Sequence, residues 1–354
     1  MSRFFSAKYD NLTAYTPGEQ PQERKYIKLN TNESPFPPSP IAQRLAREAA
    51  GDLQLYSDPE CKGLVKIASQ KYGVAEDEIL FTNGSDEILN FAFMAFCDNE
   101  HPAVFPNITY GFYPVFANLN GIPYEEIPLK EDFSIDINGY IGINKTVFIA
   151  NPNAPTGIAL TKEQIEKIVS SNKNSVVVID EAYVDFGAES VVDLIHKYDN
   201  LLVCQTMSKS RSLAGGRLGF GIGCRELIAD LNTVKYSTNP YNINRMTMAA
   251  GIGAIADNEY FESNCKKIIA TREKTAETLK SLGFTLTDSK SNFLFAKHKS
   301  VGGKELYSAL KEKGVLIRHF EKPRLNDYNR ITVGSESQME EFFSILKTVL
   351  EELV

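Results

Sequence analysis

Three compact apolar runs occupy the middle of the chain, and each stops on a polar loop. TVFIA (146–150) ends at NPNAPTG, SVVVI (175–179) at DEAY, and LLVCQT (201–206) at MSKS. Runs this short, rich in β-branched residues and without polar interruption, are strands buried on both faces. A capping box at Thr161–Gln164 opens a helix that runs to about Ser170, between the first two runs. The alternation predicts βαβ units with right-handed crossovers, and so a mainly parallel sheet covered by helices. EILFT (78–82), 103–105 and 122–128 are further strands, and an apolar helix follows EILFT directly.

The flanks differ from this centre. Residues 1–40 are rich in Pro, Asn, Thr and Tyr and read as an ordered arm with one short strand at 26–29. Helical patterns cover 41–50 and 63–72, the second ended by Gly73. After about Asn239 the pattern changes to a long helix (258–282), a strand pair (FTLTDS and NFLFAK), a helix at 305–313, the strands VLIRHF and RITVG, and a closing helix at 338–352. The expected organisation is an arm (1–40), a large α/β domain (41–250) and a small α+β domain (251–354).

Composition narrows the function. A net charge of −7 and a pI near 5.4 argue against a general nucleic-acid binder. The five cysteines form no C-x-x-C pair and the four histidines are scattered, so neither a disulfide framework nor a metal site is expected. No apolar leader or membrane-length run is present, which makes the cytoplasm the expected compartment.

Ligands of open parallel sheets bind outside the carboxyl ends of the strands. NGSDE, NPNAPTG, DEAY and MSKS all stand at such ends. Asp180 closes a buried strand, where a carboxylate needs a cationic or hydrogen-bonding partner; taken alone it also reads as a helix N-cap. Lys209 sits between Ser208 and Ser210, and alone it reads as a surface lysine. A desolvated lysine is also the residue that forms Schiff bases. Arg217 follows Gly215 and Gly216, giving a bidentate fork beside backbone that can approach a ligand closely. Thr206, Ser208, Arg217 and the helix start at Gly84, Ser85 and Asp86 together form a candidate phosphate cup. Reactive lysine, buried acid and phosphate cup describe a pyridoxal 5'-phosphate site. Tyr183 would bond the ring hydroxyl and Tyr110 would stack on the ring; both also read as aromatic packing.

These stretches carry a resemblance. LNTNESPF, LYSDPE, NGSDE, TYGFY, NPNAPTG, DEAY, SKS…AGGR and RITVG occur in the order seen in fold-type-I pyridoxal-phosphate aminotransferases. Within that group the chain most resembles the histidinol-phosphate aminotransferases. The resemblance implies that Lys209 is the Schiff-base lysine and proton shuttle, that Asp180 pairs with the ring nitrogen, and that Tyr183 bonds the ring hydroxyl. It implies a homodimer in which Tyr56 reaches the neighbour's cofactor phosphate and the arm packs on the small domain and the partner subunit. Arg330, with Tyr15, Asn32 and Arg318, would bind the substrate's carboxylate or phosphate; without the resemblance both arginines read as surface charges. The implied reaction exchanges an amino group between histidinol phosphate and 2-oxoglutarate. An aromatic amino acid aminotransferase or a threonine-phosphate decarboxylase would use the same scaffold.

Two positions depart from the family pattern. Ala154 stands before PTG where an asparagine is usual, leaving either Asn153 to replace it or Tyr183 to hold the ring hydroxyl alone. Gly216 replaces a bulkier apolar residue. Two glycine-rich stretches, GFGIG (219–223) and GIGAIA (251–256), come near a dinucleotide-binding pattern, but neither has its spacing and context.

Overall fold

The computed structural model describes residues 2–10 and 12–353. Near the N-terminus β1 (Ile27–Lys28) pairs in parallel with β11 (Val315–Leu316), so main-chain bonds tie the N-terminal stretch to a strand near the other end of the chain. Helix α1 (Pro40–Ala49) starts where the Ser39 hydroxyl accepts the Ala42 N–H and proline fills the first turn. Helix α2 (Lys62–Tyr72) stops at Gly73, whose φ of 68° is left-handed.

The chain then alternates. Its elements are β2 (Ile79–Thr82), α3 (Ser85–Phe96), β3 (Ala103–Pro106), α4 (Tyr113–Asn120), β4 (Tyr124–Ile127), β5 (Thr146–Ala150), α5 (Lys162–Ser171), β6 (Val177–Asp180), β7 (Leu201–Thr206), β8 (Gly219–Ile222), α6 (Arg225–Thr238) and α7 (Arg245–Ala256). The seven-stranded sheet runs β2-β8-β7-β6-β5-β3-β4. Only β8 is antiparallel to its neighbours, so β2 points the same way as β7 and ends on the same edge. Side chains alternate across the sheet. Val147, Ile149, Val177, Ile179 and Val203 face one core layer with residues of α1, α2, α5 and α7. Phe148, Ala150, Val178, Leu202 and Cys204 face the other, with α3, α4 and α6. Both faces are therefore covered, as the unbroken apolar runs require. The exposed edge strand β4 carries Glu125 and Glu126, which discourage further pairing.

Both glycine-rich stretches have structural roles. GFGIG is mostly β8, inserted between β2 and β7. There the missing side chain of Gly221 admits Ile88 of α3, since a Cβ would lie 2.9 Å from its Cγ1. GIGAIA lies in α7, where a Cβ on Gly253 would sit 2.6 Å from the Ala42 backbone. The glycines let α1 and α7 touch. Neither forms a strand-turn-helix phosphate loop.

The C-terminal stretch follows, with α8 (Asn258–Ser281), β9 (Phe284–Leu286), β10 (Phe293–His298), α9 (Gly303–Glu312), β11, β12 (Arg318–His319), β13 (Asn329–Thr332) and α10 (Glu336–Leu353). Its antiparallel sheet, ordered β12-β13-β10-β9, packs through Leu294 and Ile331 on Leu279, Leu306, Phe342 and Leu346. Among the described residues, no helix is long and apolar enough to cross a membrane.

Candidate active site

A cavity of about 440 Å³ opens at the carboxyl edge of the large sheet. Strand direction puts the ends of β2, β5, β6 and β7 there, and each contributes. The arm closes the opposite side with Gln20, Thr31 and Glu33.

Asp180 ends β6 and lines the cavity at 5% exposure. Its Oδ2 accepts the Tyr113 hydroxyl at 3.1 Å and its Oδ1 the Ala182 N–H at 3.1 Å. Burial pushes its carboxyl up to about 6, against the pull of those two hydrogen bonds. Burial outweighs the pull of the Lys209 charge as well, and among the described residues Asp180 has no ion-pair partner in contact.

Lys209 follows β7. Its half-buried Nζ lines the cavity, donates to the Thr31 carbonyl at 3.3 Å and lies 5.9 Å from the centre of the Tyr183 ring. The Tyr183 hydroxyl accepts the Asn32 amide at 2.9 Å, which leaves its own proton to donate into the site. Asn32 is itself fixed: its φ is 56°, and Thr332 bonds both its N–H and its Oδ1.

The residues expected to form the phosphate cup lie together. Gly84, at φ 77°, caps α3 with no side-chain acceptor, so the Ser85 and Asp86 N–H groups stay open to an anion. Arg217, at φ 51°, reaches back to Asp86 at 2.9 Å, and the other Asp86 oxygen accepts the Tyr110 hydroxyl at 2.6 Å. Thr206 and Ser208 complete the wall, their hydroxyls 3.0 Å apart. The cradle is tight: a Cβ on Gly84 would sit 2.6 Å from Arg217 Nη2. Gly216 has room for a methyl group, with Leu213 at 3.6 Å. An anion cradle, a buried carboxylate with no ion-pair partner in contact and a lysine amine bonded to the Thr31 carbonyl share one cavity, a set that fits pyridoxal 5'-phosphate.

Asn153 departs from expectation. Its amide donates to Ile108 O (3.0 Å) and Thr156 Oγ1 (3.1 Å), and its carbonyl accepts the Thr109 hydroxyl (2.8 Å). Both amide hydrogens are spent closing the loop, so Asn153 faces away from the cavity and the Ala154 methyl lines it instead. Tyr183 is left as the side-chain donor for a ring hydroxyl.

The remaining expected residues stand outside the cavity wall. Tyr15 stacks on Phe112 with ring centres 4.1 Å apart. Arg318 donates to the Thr16 and Pro17 carbonyls at 3.4 and 3.3 Å and lines a smaller cavity of about 160 Å³. Arg330 lies between Phe293 and Phe320, donates to Asn30 O at 3.1 Å, and has a buried Nε with no partner. Burial pushes its guanidinium down. Tyr56 is 80% exposed, stacked on Tyr241 and far from being enclosed by its own chain's site. Tyr113 was not anticipated, because nothing in its local sequence distinguishes it from a core aromatic.

Residues 24–346 match the family described as aminotransferase class I and II. Among curated relatives, the histidinol-phosphate aminotransferase of Brachyspira hyodysenteriae is 50% identical, the match covering 99% of this chain and 100% of that protein. The Clostridium acetobutylicum histidinol-phosphate aminotransferase is 45% identical over 98% of this chain and 99% of its own length. Among solved structures, histidinol-phosphate aminotransferase from Sinorhizobium meliloti, in complex with pyridoxal-5'-phosphate, has the same fold at a TM-score of 0.90 and 23% identity, covering 100% of this chain and 99% of that one. With its site geometry and these full-length matches, the chain belongs to the aminotransferase class I and II family.

Proposed function

We propose that the protein is a pyridoxal-phosphate-dependent aminotransferase of histidine biosynthesis. It would exchange the amino group between histidinol phosphate and 2-oxoglutarate, giving imidazole-acetol phosphate and glutamate. The observation that carries the cofactor reading is Asp180, a buried carboxylate with no ion-pair partner in contact among the described residues, sharing one cavity with the Lys209 amine and an anion cradle. The curated relatives support the choice of substrate.

Bound there, pyridoxal phosphate supplies an electron-poor ring that stabilises negative charge on the carbon bearing the substrate's amino group. Asp180 offers its carboxylate to a protonated ring nitrogen. The Ser85 and Asp86 N–H groups, Ser208 and Arg217 would hold the phosphate end, and Tyr110 and Ala182 would confine the ring. Lys209 Nζ would hold the cofactor until the substrate's amine takes its place, and the released amine would then carry the proton from the substrate's α carbon to the cofactor. Arg330, with Arg318, Tyr15 and Asn32, reads the anionic end of either substrate; a guanidinium with an unpartnered buried Nε has donor capacity for a carboxylate or a phosphate.

The working unit in this reading is a cytoplasmic homodimer. Leu53, Leu55, Tyr56 and Tyr241 form an exposed apolar patch through which Tyr56 would reach the partner's phosphate cup. The division into arm (1–40), large domain (41–250) and small domain (251–354) belongs to the same reading, with α7 spanning the junction.

The test is direct. Purified protein should take up pyridoxal phosphate and turn yellow, bleach on adding glutamate, and yield an adduct stable to borohydride that Lys209→Ala lacks. It should then transfer the amino group of histidinol phosphate to 2-oxoglutarate. Release of CO2 from threonine phosphate, in place of transfer, overturns the substrate assignment; no uptake of cofactor overturns the whole reading.

A further inference from the structure

Tyr113 is the first residue of α4 and is fully buried. Its ring packs among aromatics, 5.6 Å from Phe105, 5.9 Å from Phe148 and 5.7 Å from Tyr110 between ring centres. Phenylalanine would fill that space equally well. The hydroxyl is the one chemical difference, and it donates to Asp180 Oδ2, 67 residues away.

An ionised carboxylate has about four lone-pair sites. The Ala182 N–H occupies one on Oδ1 and Tyr113 one on Oδ2. Two fixed donors at two different oxygens define the plane of the carboxylate and leave the other lone pairs to the cavity that Asp180 lines. The other charged groups acting on Asp180 are Asp86 on α3, which opposes its ionisation, and Lys209, which favours it. Burial beside that carboxylate pushes the Tyr113 hydroxyl well above its ordinary range, so it remains a donor.

We infer that Tyr113 is a positioning residue for the reaction, holding the Asp180 carboxylate in one orientation and in acceptor form for the cofactor's ring nitrogen. The inference rests on the cofactor reading above. Tyr113 touches neither substrate nor cofactor and acts only through Asp180.

The test is a double-mutant cycle on the full-length protein, read by pyridoxal phosphate binding and by the absorbance spectrum of the bound cofactor. Tyr113→Phe should weaken cofactor binding by about 10- to 100-fold, the worth of one hydrogen bond to a charged group, and should shift the visible band. In an Asp180→Asn background the same substitution should change binding less than about twofold, because the coupled partner is gone. Packing alone would give the same effect in both backgrounds. 3-Fluorotyrosine placed at 113 keeps the shape and strengthens the donor, so it should move the band in the opposite sense; it carries the test should the phenylalanine variant not fold. The inference is overturned if Tyr113→Phe matches wild type in band and affinity, if its effect survives Asp180→Asn, or if the fluorinated side chain leaves the band unmoved. Wild-type protein that takes up no pyridoxal phosphate removes the cofactor reading itself, and Tyr113's role with it.

Discussion

Gly219 touches no expected ligand, yet its replacement by alanine should disable the phosphate cup. The residue opens β8 directly beneath the first turn of α3. A Cβ there would lie 2.3 Å from Ser85 N, 2.5 Å from the Gly84 carbonyl carbon and 2.8 Å from Ser85 Cα. All three atoms are backbone, so no rotamer change relieves the clash. The closest approach is about an ångström short of van der Waals contact, and the helix start must retreat by about that distance. Two costs follow. Overpacking should destabilise the cofactor-free protein by about 1–3 kcal/mol. The displaced N–H groups should weaken phosphate binding by about 10- to 100-fold if one charge-assisted bond is lost. Gly216→Ala, three residues earlier in the chain, is the control. Its Cβ would meet Leu213 at an ordinary 3.6 Å, so stability should hold within about 0.5 kcal/mol and cofactor affinity should be unchanged. Urea unfolding and titration with pyridoxal phosphate measure both quantities. A Gly219→Ala protein that unfolds at the wild-type urea concentration and binds cofactor within about twofold of wild type refutes the reasoning, since its premise is that this backbone cannot move freely.

Further outcomes follow from the same geometry. Asp180→Asn should weaken cofactor binding to a measurable extent while stabilising the cofactor-free protein near neutrality. The wild-type carboxyl titrates at about 6 when folded, against an ordinary 3.8. The folded state therefore retains a proton that the unfolded chain has lost between those values. Wild-type stability should thus fall, relative to the variant, by up to about 3 kcal/mol as pH rises through that window; a difference that stays flat from pH 4 to 7 in denaturation experiments refutes this. Arg330→Ala should cost about 1–3 kcal/mol of stability, since it removes the bond to Asn30 O and the packing between Phe293 and Phe320, and should also raise KM for glutamate and histidinol phosphate by about 100-fold with a smaller loss in kcat. Unchanged steady-state constants would remove Arg330 from the substrate pocket. Tyr56→Ala and Lys209→Ala proteins, each inactive alone, should recover about a quarter of wild-type activity on mixing, as half-intact dimers form; no recovery argues that Tyr56 does not serve a neighbouring site.

The buried strands and the loops that end them were legible because their signal is local. Unbroken apolar runs mark β5, β6 and β7, and the first polar residue after each marks where ligand chemistry begins. Lys209 and Arg217 could be placed on one edge from that pattern, since parallel strands bring all their carboxyl ends together. β8 was hidden because four residues, two of them glycine, carry no usable period, and α7 because it is apolar nearly all round and glycine-bearing. Contacts across the chain left no trace at all. Whether Asn153 or Ala154 faces the cavity depends on how the loop bonds to Ile108 and Thr109. That the arm supplies Thr31 and Glu33 to the cavity follows from its pairing with β11.

The sequence alone determined where the buried strands lie and which polar loops end them, because hydrophobic periodicity and the residues that interrupt it are properties of short segments. Tertiary structure decided how those residues are supported. It turned the Asn153 amide inward, set Gly219 against the phosphate cradle and brought the Tyr113 hydroxyl to Asp180. Each of these depends on packing between segments distant in the chain, and close packing selects a neighbour by shape and hydrogen-bonding capacity rather than by sequence position.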